Sequence, residues 1–228
     1  MPDFSDVPFA SMLAYHSDPK TTDEKRSRDR LFELKQDKMV RAPSGGPEVE
    51  FSTRVAARLK SDPQFQRVLD FFGEDAVLVP VPGSAITAGN KALWVPNRLA
   101  EALRRVGVAS SVETMLARTG PIRKSATAQR RPSPQEHYAS FSATVGLHMP
   151  SRVVLVDDLL TLGSAALGAA ARIREVLPNV PVLLFAAMRT SKWREFTDFI
   201  DPMLGTVRLS ASGEPEVVSQ SGASRDID

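Results

Sequence analysis

The chain of 228 residues contains no cysteine, which excludes a disulfide framework, a thiolate metal site and a cysteine nucleophile. It has only three histidines, His16, His137 and His148, spaced too widely for a zinc site, so ordinary packed or surface imidazoles are expected. No apolar run approaches the roughly 20 residues of a membrane span. The opening residues, Met1-Pro2-Asp3-Phe4-Ser5-Asp6, carry acids where a signal peptide carries bases. The expectation is a soluble, cytoplasmic protein with no membrane partner. An excess of charge of one sign is lacking as well: the formal net charge is +2, too small to select a polyanionic partner. No internal repeat is present.

The most informative stretch is Arg152-Val153-Val154-Leu155-Val156-Asp157-Asp158-Leu159-Leu160-Thr161-Leu162-Gly163-Ser164. Four β-favouring apolar residues followed by two adjacent carboxylates predict a buried parallel strand that delivers polar groups to a sheet edge. Thr161, Gly163 and Ser164 supply hydroxyls and a flexible backbone where the loop enters an alanine-rich helix. Free amides and the helix dipole favour an anion at such a place. Two other readings compete. The acids could simply cap that helix, or the strand could be the magnesium-binding strand of a nucleoside-triphosphatase. The second requires a Gly-x4-Gly-Lys-[Ser/Thr] loop, and the nearest segment, from Gly83 to Lys91, has the wrong spacing.

The rest of the chain arranges itself around that strand. Residues 1–29 read as an N-terminal extension or hood, with a short apolar patch at 9–15 that could be an added strand. Residues 22–40 predict an exposed helix with a stripe of Leu31, Phe32, Leu34 and Met39. The breaker at 42–47 predicts a turn, and residues 51–59 a helix facing inward through Phe51, Val55, Ala56 and Leu59. Residues 76–83, Ala-Val-Leu-Val-Pro-Val-Pro-Gly, form a second buried strand stopped by prolines. A helix over 97–106 is expected to be capped by Asn97 and closed by Gly107. Between Thr114 and Gln135 there is no acid, while Arg118, Arg123, Lys124, Arg130 and Arg131 occur, which predicts a basic loop. A helix over 164–177 and a strand over 180–187 complete a parallel crossover, so ligands are expected at the carboxyl ends of the strands. From residue 210 the composition turns to Ser, Gly, Glu and Asp, and residues 210–228 are expected to be a disordered tail.

The run from Val153 to Ser164 resembles the phosphoribosyl-pyrophosphate motif of the type I phosphoribosyltransferases. Val79-Pro80-Val81-Pro82, the segment from Arg118 to Phe141 and Leu31-Phe32-Glu33-Leu34-Lys35 are similar to the ComF branch of that family, and the likeness covers residues 30–190. It implies an α/β fold with a central, mostly parallel sheet flanked by helices and a small hood region. The core domain would span residues 30–209. It further implies that Asp157 and Asp158 accept hydrogen bonds from ribose hydroxyls, and that Leu160, Thr161, Leu162, Gly163 and Ser164 hold a 5′-phosphate. Pro82, Gly83 and Ser84 would form the pyrophosphate loop. Lys124 is the first choice for a catalytic base-bearing residue, with Arg118 and Arg123 as pyrophosphate or nucleic-acid contacts. Mg²⁺ would be carried mainly by substrate oxygens and water, with no direct protein ligand set.

The expected activity is Mg²⁺-dependent transfer of the phosphoribosyl group from phosphoribosyl pyrophosphate to a nucleobase or amine, with release of pyrophosphate. The chain departs from the family pattern at Leu162 and Ala165, where threonines are common, at Ala88-Gly89-Asn90-Lys91, and in lacking the cysteines of the branch's zinc module. Two lost charge-assisted hydrogen bonds, each worth roughly 1.5 to 3 kcal/mol, motivate a second expectation. This is a non-catalytic nucleotide sensor or interaction module, linked to DNA uptake or DNA metabolism. Oligomeric state is open, a homodimer being one alternative.

Overall fold

The computed structural model describes residues 2–41, 45–84, 93–122, 131–146, 149–191, 196 and 198–220. The chain enters through strand β1 (Val7–His16), helix α1 (Thr22–Lys35) and the antiparallel pair β2 (Met39–Arg41) and β3 (Glu48–Glu50). Helices α2 (Phe51–Ser61) and α3 (Gln66–Phe72) lead to β4 (Ala76–Pro80), α4 (Val95–Arg105) and the short β5 (Ser111–Val112). A second small pair, β6 (Leu116–Arg118) and β7 (Phe141–Ala143), brackets α5 (Pro134–Ala139). Then come β8 (Arg152–Leu160), α6 (Ser164–Val176), β9 (Val182–Ser191), β10 (Ile200–Leu209) and β11 (Pro215–Ser219).

Seven of these strands form one sheet in the order β11-β10-β1-β9-β8-β4-β5. β1, β9, β8, β4 and β5 run parallel, while β10 and β11 are antiparallel additions. The fold is therefore α/β, with a large, mostly parallel central sheet flanked by helices. One face packs against α1, α2, α3 and α4 through Leu34, Val55, Phe72 and Leu99. The other packs against α6 through Leu167, Ala170 and Ile173, with Phe141 beside them. Small residues allow the close fit on that side: a Cβ on Gly168 would stand 2.8 Å from the Pro134 carbonyl oxygen. β8 lies in the interior, Val153, Val154, Leu155 and Val156 each being 0% exposed. Burial of each such side chain contributes about 1.5 to 3 kcal/mol.

Several elements match the periodicities that predict them. α2 buries Phe51, Val55, Ala56 and Leu59, and Gly107, at φ +72°, follows α4. Other elements differ. Residues 1–29, expected as an extension or hood in which 9–15 could add a strand, do supply that strand, but as β1 it lies inside the main sheet between β9 and β10. Its apolar run is buried on both faces, so it lacks the alternation that marks a half-exposed strand. α1 stops at Lys35, and Phe32 and Met39 are 53% and 55% exposed instead of forming its inner stripe. α4 starts at Val95 with Pro96 in its first turn and Trp94 at the cap position, so Asn97 is inside the helix. The expected tail begins with order: Ser210 and Gly213 form a turn that returns β11 onto β10, with Gly213 at φ +80°. Its polar composition concealed a short edge strand.

The placement of β1 carries an energetic consequence. Phe9 is 0% exposed and faces Gly205 across the β1–β10 ladder, where a Cβ would approach the ring to 2.5 Å. Denaturant unfolding should show Phe9→Ala destabilised by about 3 to 5 kcal/mol. The exposed Phe32→Ala should change stability by less than about 0.5 kcal/mol. Equal effects would contradict the assigned position of β1.

Candidate functional site

Because β4, β8, β9 and β1 are parallel, their carboxyl ends meet at one edge, where open α/β sheets bind ligands. The β4–β8 ladder ends at the Pro80–Val156 pair, and the Val81 amide donates to the Val156 carbonyl at 2.9 Å. Pro82 then prevents further pairing. On the other side β8 stays paired to β9 from Asp157 opposite Ala186 to Leu160 opposite Arg189. Asp157 and Asp158 therefore lie within the strand but past the end of its β4 neighbour. The strand continues to Leu160, further than the apolar run alone predicts.

The two acids sit in different environments. The Asp158 amide donates to Asp157 Oδ1 at 2.8 Å. Burial, reinforced by the Asp158 carboxylate, pushes the Asp157 carboxyl well above the usual carboxylate range. Asp158 Oδ2 accepts from Lys35 Nζ at 2.9 Å, which anchors the end of α1 to the strand. Burial is the largest single influence and acts to lower the Lys35 ammonium, but the Asp158 charge and hydrogen bond together with the Asp157 charge outweigh it and the net shift is upward. Neither acid caps α6. Its cap position is Gly163, at φ +91°, with no side-chain cap bond. The capping explanation for the acidic pair is therefore set aside, and among the described residues no side chain claims the first-turn amides of α6.

Gly163 is required twice over: its backbone is left-handed, and a Cβ there would lie 2.1 Å from Val207 Cγ1. A small cavity of about 40 Å³ opens at this helix start, lined by Asp157, Thr161, Gly163, Ser164, Arg131 and His137 among others. Leu160 is 3% exposed and packs into the core, so only its backbone faces the edge. Leu162 is 44% exposed.

The loop after β4 is held from three sides. Trp94 Nε1 donates to the Val81 carbonyl at 3.0 Å, and the Ile122 amide donates to the Ser84 carbonyl at 3.1 Å. Arg118 supplies the third hold. Its Nε donates to the Gly83 carbonyl at 2.7 Å, Nη2 reaches the Pro82 carbonyl at 3.4 Å and His137 Nδ1 at 3.3 Å, and Nη1 donates to Ser140 Oγ. The guanidinium also lies over the Phe141 ring, 4.0 Å from its centroid. Of its five N–H groups these contacts leave one, on Nη1. Arg118, expected to contact pyrophosphate, thus positions the loop formed by Pro82, Gly83 and Ser84. Burial brings its pKa down to about 10 against the pull of Asp157, so it stays cationic at neutral pH.

Several functional candidates gave no signal in the sequence. Lys35 and His137 act through partners brought together only by the fold, and Trp94 reads as an ordinary tryptophan before a helix. Lys124 and Arg123 lie outside the described residues, as do Arg130, Trp193 and the segment Ala88-Gly89-Asn90-Lys91. Among the described residues no group of three or more His, Asp or Glu side chains could hold a metal. The all-oxygen pair of Asp157 and Asp158 fits a hard cation only if a ligand supplies most of its oxygens. No helix among the described residues is long and apolar enough to cross a membrane. No protein-family model and no characterised protein matches this chain.

His137 provides a titration that checks this geometry. An arginine has no acceptor, so Nδ1 of His137 must accept from Arg118 and the proton resides on Nε2. Burial, then the Arg118 charge, lowers its pKa to about 4. The unfolded imidazole binds its proton near pH 6.5, so the unfolded state carries more protons across the interval between. Stability from this group is complete above about pH 6.5 and is lost as pH falls towards 4, on the order of 3 kcal/mol in all. An NMR titration should find His137 neutral at pH 6; a midpoint above 6 would contradict the Arg118 contact.

Proposed function

We propose that the protein is a Mg²⁺-dependent phosphoribosyltransferase of the type I class, similar to the ComF branch. The carrying observation is the juxtaposition of Asp157 and Asp158, past the end of β4, with a helix start that no side chain among the described residues caps. On this reading the two carboxylates accept the ribose 2′- and 3′-hydroxyls. The amides of Leu160, Thr161, Leu162, Gly163 and Ser164, with the Thr161 and Ser164 hydroxyls, receive the 5′-phosphate. Pro82, Gly83 and Ser84, fixed by Arg118 and Trp94, face the pyrophosphate. Mg²⁺, held mainly by substrate oxygens and water, would supply charge neutralisation at the pyrophosphate leaving group. A nitrogen of the acceptor forms a bond to the anomeric carbon as the bond to pyrophosphate oxygen breaks, and the acceptor loses its proton. Positive charge grows on the sugar, so negative carboxylates nearby and exclusion of water are what the protein supplies. By resemblance, Lys124 and Arg123 would contact the leaving group.

A second reading is a nucleotide sensor or interaction module without turnover, in the setting of DNA uptake or DNA metabolism. Leu162, with no hydroxyl, and the Lys35 ammonium already bound to Asp158 favour it. Release of pyrophosphate with a panel of nucleobases separates the two: turnover supports the transferase, and saturable binding without turnover supports the sensor.

The acidic pair yields a test with two readouts. A carboxyl held above its unfolded pKa of 3.8 carries more protons folded than unfolded. Its contribution is therefore fully present below 3.8 and is lost as pH rises towards and through the folded value, so the group opposes folding at the alkaline end of that range. Asp157→Asn should raise the thermal midpoint of the ligand-free protein at pH 8. Calorimetry should show it binding phosphoribosyl pyrophosphate with Mg²⁺ about tenfold or more weakly than the parent. Absence of binding by the parent, or affinity unchanged by Asp157→Asn with Asp158→Asn, sinks the phosphoribosyl reading.

A further inference from the structure

A second cleft, of about 1110 Å³, opens at the carboxyl ends of β1 and β9 and the start of β10. Its floor holds an arginine in an unusual setting. Arg189 is 3% exposed although it lies two residues from the end of β9, near the rim of the sheet. Arginines in that position ordinarily extend their heads to water. Here the guanidinium stays beneath the cleft, and its acid partner, Asp201, is the more exposed of the two, at 27% against 4% for the side chains. Nη2 donates to Asp201 Oδ2 and Nε lies 3.0 Å from Met203 Sδ. Nη1 is buried and finds no partner among the described residues.

Two more orphaned atoms accompany it. Thr190 Oγ1 and His16 Nδ1 are also buried without a partner. They belong to neighbouring strand ends, since Ala14, Tyr15 and His16 pair with Arg189, Thr190 and Ser191; by strand alternation His16 shares the face of Arg189, and Thr190 lies on the other. Three of the five such atoms among the described residues therefore gather beside one cleft. Buried donors are almost always satisfied in a folded protein, and an unsatisfied group on a charged side chain is the costliest exception. Around them, the acids of the cleft are mostly occupied. Asp201 is bound to Arg189, Glu216 to Arg208, and Glu24 accepts the amides of Lys20 and Thr21. Lys20 and Arg131 border the same space with no ion pair among the described residues.

We propose that this cleft is a second ligand site, which takes a small polar molecule by an oxyanion, carboxylate or phosphate, seated on Arg189 Nη1, with His16 on the same face of the sheet. The cleft is as large as sites that hold drug-sized ligands. It shares Thr161, Leu162 and Arg131 with the small cavity at the start of α6, so the two ligands would lie side by side. The inference stands on the cleft alone and goes beyond the phosphoribosyl reading.

Calorimetry and NMR of the full chain with inorganic phosphate, and separately with succinate, test it. Saturable binding is expected for one or both, with the His16 ring-nitrogen and Arg189 guanidinium signals shifting along the same curve. Arg189→Met with Asp201→Asn removes both charges of the buried pair and should weaken binding about tenfold or more. Thr190→Val, on the opposite face of the strand, should leave it unchanged. Asp157→Asn with Asp158→Asn should leave it unchanged. Phosphate binding with a better affinity than succinate identifies a phosphate as the natural group, and the reverse order a carboxylate. No binding of either probe overturns the proposal. So does binding unaffected by the Arg189 double variant. Heat without a shift at His16 places the anion at α6, which overturns this inference and leaves the phosphoribosyl reading standing.

Discussion

The constraint on which the rest of the structure depends is the burial of β8 between β4 and β9. Val153, Val154, Leu155 and Val156 are fully enclosed, so no ionisable side chain can enter the strand until one neighbour ends. β4 ends first, at Pro80, and Asp157 is the next residue of β8 beyond that point. The carboxylate pair thus occupies the first place on the strand where a polar group can face something other than hydrocarbon. Asp157 still remains largely out of water, and its raised pKa expresses that position. Asp158 is stabilised instead by Lys35, which ties α1 to the same edge. The strand that secures the fold also sets the electrostatics of the site.

A loop facing such a pair must keep a fixed shape if it is to align a ligand, since positioning contributes only when it precedes binding. The segment after β4 meets that need through side chains rather than through secondary structure. Trp94 holds Val81, and Arg118 holds Pro82 and Gly83. Arg118 is itself confined by Phe141, Ser140 and His137. This chain of contacts functions only with a neutral His137, because a protonated ring would face the guanidinium with a donor and a like charge. The depressed pKa of His137 is therefore a condition for the loop's geometry and not an incidental effect of burial.

Much of the edge was legible because it rests on local pattern. The apolar run of β8, the double proline after β4 and the alanine-rich α6 predict their elements directly, and Thr161, Gly163 and Ser164 stand at the helix start as the spacing requires. β1 and β11 were harder for opposite reasons. β1 is buried on both faces and shows no alternation. β11 is a five-residue edge strand in a polar context, returned by a turn of Ser and Gly. The partners of the site were illegible in principle. Lys35 is 123 residues from Asp158 in the sequence, and nothing local to either residue specifies the other. Arg189 reads in sequence as the polar end of an apolar strand, and only the folded chain shows that it is buried.

Leu162 acquires a different meaning in three dimensions. In the sequence it counts as a missing hydroxyl, and two such losses suggest weakened phosphate binding. In the fold its side chain is 44% exposed, and it borders both the small cavity at α6 and the larger cleft beside Arg189. The donors left at the helix start are the first-turn amides of α6 and the hydroxyls of Thr161 and Ser164, none of which Leu162 obstructs. A threonine at this position would share that outward setting and add at most one exposed hydrogen bond, worth less than a buried one. The apolar side chain borders both the small cavity at α6 and the cleft over Arg189, so the identity of residue 162 bears on the boundary between these two spaces more than on the donors at the helix start.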